Sequence, residues 1–186
     1  MCRIKLPVIG EFNAANSLCA AAAAHVHGIP AEKIAEALAD FGGVARRFEH
    51  KGDAHGAAVY DDYAHHPDEV RATIRGLGAL GYKNVWLVFQ PHTYTRTKDL
   101  WADWVSVFRE AGELGIRVLL ADVFAARETD DLGISSEMLA DACGAEYFPD
   151  FEAIARALLC RAGEGDLILT MGAGQAYRVG EILLKK

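Results

Sequence analysis

The stretch YDDYAHHPDE, Tyr60 to Glu69, places two carboxylates, two phenols and two imidazoles within seven positions, followed by a proline and two more acids. Such groups can hold hydroxyls, amines or carboxylates and can exchange protons near neutral pH. Three further polar stretches each follow an apolar run. VFQPHTYTR supplies Gln90, His92, Tyr94 and Arg96, and LADVFAARE supplies Asp122, Arg127 and Glu128. LTMGAGQ supplies Thr170 and a glycine pair. Polar groups gathered behind several apolar runs are the pattern of a ligand cleft.

Each piece also has a plainer reading. His65 and His66 are adjacent, which suits a single metal ion poorly, and no HxxxH or HxE partner follows. His66 reads better as a polar contact at the start of the helix that opens at Pro67. Consecutive strand residues point to opposite faces, so one of Asp61 and Asp62 at most faces a cleft while the strand lasts. GAGQAY lacks the third glycine of a dinucleotide fingerprint, and its small residues can simply let a helix approach a sheet. RETDDLG lacks calcium-loop spacing and reads as a solvated loop.

The elements that must carry these groups alternate. RRFEHKGDAHGAAVYDDY reads as two short strands joined by a Gly/Asp turn. Next come a helix PDEVRATIRGLGAL, a strand NVWLVFQ, one helix TRTKDLWADWVSVFREAG and a strand IRVLLADVF. A helix SSEMLADAC, a strand AEYFP, a helix DFEAIARALLCRAG, a strand DLILTMG and a closing helix follow. Strands apolar on both faces, alternating with helices, imply an α/β fold: a mostly parallel, Rossmann-like sheet covered on both sides. In such a sheet ligands bind beyond the carboxyl ends of the strands, where the four polar stretches fall. Residues 1–44 break the rhythm. They read as two helices, NAANSLCAAAAAHVHG and PAEKIAEALADFGG, forming a helical hairpin ahead of a domain at 45–186.

Composition narrows the function classes. The chain has 186 residues, 52% of them apolar, so it can bury a core unaided. A net charge of −7 with no long Lys/Arg cluster argues against nucleic acid or an anionic membrane as a partner. Four widely spaced cysteines without a CxxC pair (Cys2, Cys19, Cys143 and Cys160) read as free, buried thiols in a reducing compartment. No stretch is long enough to span a membrane, and a cytoplasmic location is the expectation. The pattern GxxxxGK[ST] occurs nowhere, so the usual triphosphate-gripping loop is missing from this sequence.

In order, NAAN opening an alanine-rich helix, GVARRFE, VYDDYAHHPDEV, VFQPHTYTRTKDL and TMGAG resemble the Mur ligase family, from about Gly10 to the end. The resemblance implies the family's C-terminal Rossmann-like domain at 45–186, with 1–44 as the helical tail of the central, ATP-binding domain. It implies a cytoplasmic bacterial ligase of peptidoglycan synthesis that joins L-alanine to UDP-N-acetylmuramate. ATP would first convert the sugar's carboxylate to an acyl phosphate, which the amine then attacks. ATP and Mg2+ are the implied cofactors, with the magnesium ligands and phosphate loop on the missing central domain. Partners are therefore ATP, both substrates and the missing N-terminal and central domains. By matching motifs, Asn13, Asn16, Arg47 and Asp62 are implied at the nucleotide. Tyr63, His65, His92 and Arg96 are implied around the amino acid. No catalytic residue and no metal ligand is assigned within this chain.

Three positions depart from the family pattern: Phe12 where histidine is usual, Thr93 where a cation is usual, and Gln175 where aspartate is common. Thr93 removes a charge from the implied amino-acid pocket. Two alternatives stay open: a related ligase that recycles a preformed tripeptide onto the same sugar, and a non-catalytic module that binds a nucleotide or amino acid. RRFE and YTRTKDL favour the alanine enzyme. A dehydrogenase-type cofactor domain is disfavoured by the incomplete glycine motif. The chain by itself is expected to be inactive in ligation.

Overall fold

A computed structural model describes residues 3–8 and 10–185. Cys2 and the side chain of Phe12 lie outside the described residues. The chain forms two compact units, 1–45 and 46–186. The first contains α1 (Glu11–Val26) and α2 (Ala31–Ala39), which pack together. Alanine favours the α1 helix, and Gly28, with φ +80°, ends its run before Pro30 caps α2.

The second unit runs β1 (Glu49–Ala54), β2 (Ala57–Asp62), α3 (Pro67–Leu77), β3 (Val85–Phe89), α4 (Tyr94–Asp99) and α5 (Trp101–Glu113). It continues with β4 (Ile116–Ala121), α6 (Ser136–Cys143), β5 (Glu146–Phe148), α7 (Phe151–Arg161), β6 (Leu167–Met171) and α8 (Tyr177–Leu184). The six strands form one sheet in the order β1-β2-β6-β3-β4-β5, parallel except for edge strand β1. Strand β6 is threaded between β2 and β3, which makes a topological switch beside both neighbours.

The apolar runs explain the layers. Along β3, Leu87 and Phe89 enter one core with Val70 and Ile74 of α3, Trp104 and Phe108 of α5, and Leu139 of α6. Trp86 and Val88 enter the opposite core with Ile154 and Leu158 of α7 and Val179 and Leu183 of α8. The period of two in a strand thus feeds two cores, and helices cover both faces.

Several local expectations are corrected. The first hairpin turns at His55–Gly56, whose φ values of 51° and 82° are both positive, as a two-residue I′ turn requires. The Gly/Asp pair instead lies where the β1 register shifts between His50 and Gly52. The helix expected over 95–112 is two helices, broken at Leu100 (φ −103°, ψ 20°). The helix expected to reach Leu80 ends at Leu77, where Gly76, Gly78 and Gly81 weaken it to a single 3₁₀ turn. Of the cysteines, Cys143 is buried, but Cys19 and Cys160 are exposed free thiols, so packing does not account for them.

Candidate functional site

The strand order sets β2, β6, β3 and β4 side by side and parallel, so their carboxyl ends share one rim. Close packing of the exits depends on the glycine pair in TMGAG. Gly172 has φ +137°, and a Cβ there would lie 2.9 Å from the Gln90 carbonyl oxygen. A Cβ on Gly174 would lie 2.4 Å from Gln90 Oε1. Gln90 uses the space to tie three exits together. Its Oε1 accepts from Gln175 N–H at 2.6 Å, and its Nε2 donates to the Asp122 carbonyl at 3.1 Å. The Gln175 departure therefore contributes its backbone here, while its side chain accepts from Arg178.

Across this rim runs a row of rings. Tyr63 and His65 meet edge-on at 5.2 Å between centroids, His65 and His92 lie 6.3 Å apart, and His92 and Phe124 lie 5.5 Å apart. The His65 ring is held by the Tyr63 carbonyl at 3.0 Å and faces Glu69 at 3.6 Å. Tyr63, His65 and His92 are therefore gathered from two strand exits. Arg96 joins them electrostatically: burial first, then the charge of Arg96 and then His65, push the His92 imidazole below its ordinary value. Among the described residues the Arg96 guanidinium has no hydrogen bond or ion pair, whereas Arg71, Arg75 and Arg161 are each paired. Thr93, standing where a cation was expected, is instead the N-cap of α4, accepting from Arg96 N–H at 3.4 Å.

The nucleotide candidates are placed differently. Arg47 is exposed, with its guanidinium 5.8 Å from the Tyr63 ring. Asp62 is only 4% exposed. One of its oxygens accepts from Ala64 N–H at 2.8 Å, and burial raises its pKa. Asn13 and Asn16 belong to α1 in the other unit, Asn16 exposed and Asn13 half-buried.

Three residues to which the family motifs assign no role are built into the rim, and of them Arg46 alone had gone unnamed among the polar stretches. Arg46, not only Arg47, is built into the rim. Its Nε donates to Asp61 at 2.8 Å and its Nη2 to the Gly172 carbonyl at 2.8 Å. The guanidinium lies 4.9 Å from the Tyr63 ring and 5.0 Å from that of Tyr177. Asp61 also accepts from the Thr170 hydroxyl at 2.8 Å, so it bolts β2 to β6. The third is Glu128, whose carboxylate accepts from the Tyr94 and Thr95 N–H groups that open α4. Strand parity allowed one of Asp61 and Asp62 to differ from the other, but nothing local in the sequence marked which. His66 caps α3 as its position suggested, accepting from Asp68 N–H at 3.3 Å. Among the described residues no group of three His, Cys, Asp or Glu could hold a metal ion, and no helix is long and apolar enough to cross a membrane.

The depressed His92 value has a measurable consequence. In the unfolded chain a histidine takes up its proton near pH 6.5. In the folded chain His92 resists until lower pH, although the facing Glu128 charge partly opposes Arg96 and His65. Its contribution to stability is then complete above pH 6.5 and is lost as pH falls below that value. Urea midpoints between pH 7 and pH 5 should fall less steeply for His92→Gln than for the parent; identical slopes would remove His92 as the source.

Comparison with known proteins follows the same boundary. The family model "Mur ligase, glutamate ligase domain" matches residues 46–174. A UDP-N-acetylmuramate–L-alanine ligase of Lachnospira eligens is 47% identical over 187 residues, covering 98% of this chain and 40% of the relative. One of Acetivibrio thermocellus is 43% identical, covering 98% and 39%. The chain thus spans about 40% of the length of these relatives. The crystal structure of UDP-N-acetylmuramate-alanine ligase from Thermotoga maritima superposes with a TM-score of 0.79. It covers 100% of this chain and 40% of that one at 23% identity, which speaks to fold.

Proposed function

This chain belongs to the Mur ligase family, and from that premise we propose that it is the C-terminal portion of an ATP-dependent ligase joining L-alanine to UDP-N-acetylmuramate. Near-full coverage of this chain by relatives of that name supports the substrate assignment. On this reading 1–44 is the helical tail of the central domain and 45–186 the C-terminal domain. The phosphate loop and the Mg2+ ligands belong to the central domain. The setting is peptidoglycan synthesis in the bacterial cytoplasm.

The observation that carries the proposal is an unpaired Arg96 guanidinium beside His92 on a ring-lined rim. The planar fork of arginine matches a carboxylate with two parallel hydrogen bonds. A neutral His92 leaves Arg96 as the local cation, so the alanine carboxylate is drawn in without a second positive charge repelling its amine. Tyr63, His65 and His92 wall the amino acid and limit its orientations, which lowers the entropic barrier to attack on the acyl phosphate. ATP supplies the phosphoryl group that activates the sugar carboxylate; the amine adds, and phosphate leaves. Arg47 faces the nucleotide anion, and Asp62 takes the ribose side through lone pairs left by its bond to Ala64. Asn13 and Asn16 serve the adenine, where an amide both donates and accepts.

The purified chain alone should release no phosphate with ATP, alanine and UDP-N-acetylmuramate, whereas the full-length protein should. Robust ligation by the chain alone would sink the division of labour. Preference of the full-length protein for a tripeptide over alanine would transfer the assignment to the recycling ligase.

A further inference from the structure

We propose that Glu128 is a positioning residue, whose carboxylate clamps the first turn of α4 and thereby aims Arg96 at the rim. The proposal rests on the reading of Arg96 as the carboxylate-binding cation. Helix α4 has six residues, too few to hold its own direction by backbone bonding. Its entry residue, Thr93, sits at φ +65°, and its capping bond to Arg96 N–H is long at 3.4 Å. Within the helix the buried Thr97 hydroxyl donates to the Thr93 carbonyl at 2.7 Å, and the loop after β4 adds the bonds that hold the first turn. Glu128 accepts from Tyr94 N–H and, at 3.1 Å, from Thr95 N–H. The Phe124 carbonyl accepts from Thr93 N–H at 2.9 Å, and Phe124 N–H donates to the Pro91 carbonyl at 2.9 Å.

The loop in turn is fastened by Glu128 N–H to the Ala125 carbonyl at 2.9 Å and by Lys98 Nζ to the Leu132 carbonyl at 3.0 Å. Hydrogen bonds from Thr95, through side chain and backbone, and from Tyr94 hold the Glu128 carboxyl below its usual range, so the acceptor stays charged. No ion pair joins Glu128 to Arg96 among the described residues, which leaves the guanidinium available to a ligand. Glu128 therefore acts on Arg96 through the backbone of α4 and not by contact with substrate.

The test uses the full-length ligase carrying this sequence. Glu128→Ala should raise the KM for alanine about tenfold, since small misplacements of a binding group are costly, and leave the KM for ATP unchanged. Glu128→Gln, which keeps one acceptor oxygen, should recover part of the loss. Amide hydrogen exchange at Tyr94 and Thr95 should quicken in Glu128→Ala. The decisive variant is Arg96→Ala with Glu128→Ala: the second change should add nothing once the guanidinium is gone. Additive effects, or an unchanged alanine KM in Glu128→Ala, would overturn the proposal. An unchanged alanine KM in Arg96→Ala would instead remove the reading on which it stands. If Glu128→Ala does not fold, Glu128→Asp keeps the charge one methylene short and should give the same rise; normal kinetics there would count against the clamp.

Discussion

Arg96→Ala in the full-length ligase is expected to raise the KM for L-alanine about 30-fold, the equivalent of about 2 kcal/mol. The size is that of a lost two-bond carboxylate contact, and among the described residues no hydrogen bond or ion pair ties the guanidinium to the fold. The loss should therefore appear in alanine binding while the melting temperature stays within about 2 °C. Arg96→Lys should recover only part, because an ammonium cannot form the two parallel bonds of the fork. Steady-state kinetics with alanine varied and ATP saturating is the measurement. A KM within twofold of the parent would take Arg96 out of the pocket.

Asp61→Ala is the matching prediction for stability, with an expected loss of about 3 kcal/mol on urea unfolding. The Asp61 side chain is 3% exposed and Arg46 28%. Removing the acid leaves a guanidinium half-buried between Tyr63 and Tyr177 with only the Gly172 carbonyl to satisfy it. Such a loss is a large share of the roughly 5–15 kcal/mol that holds a domain together. Asp61→Asn, which keeps one acceptor oxygen for Arg46 and turns an amide N–H toward the Thr170 hydroxyl, itself still able to donate to the Tyr60 carbonyl, should cost less. Because Arg46 also packs on Tyr63, the same variant should weaken the ring-lined wall of the rim. A loss below about 1 kcal/mol in Asp61→Ala would show the pair to be solvated and worth little.

The two predictions separate what the rim is for from what holds it. On the proposed reading Arg96, His92 and Tyr63 offer groups to a ligand, whereas Asp61, Arg46, Gln90 and Glu128 spend hydrogen-bonding capacity on one another and on the backbone.

Local sequence was enough to establish the alternation of strands and helices, the hairpin ahead of them, the family, and the four exits that carry polar groups. Apolar period, caps such as Ser135 and Asp150, and glycine stops are short-range effects, legible within a few residues. Tertiary structure alone decided which neighbour in each polar pair joins the frame. Arg46 and Arg47 look alike in sequence, yet only Arg46 meets Gly172, 126 positions away. Asp61 and Asp62 differ through the parity of β2 against β6, and Glu128 finds Tyr94 across 34 positions. Those choices depend on strand order and register, which no local window contains, because contacts between distant segments arise only after β6 threads between β2 and β3.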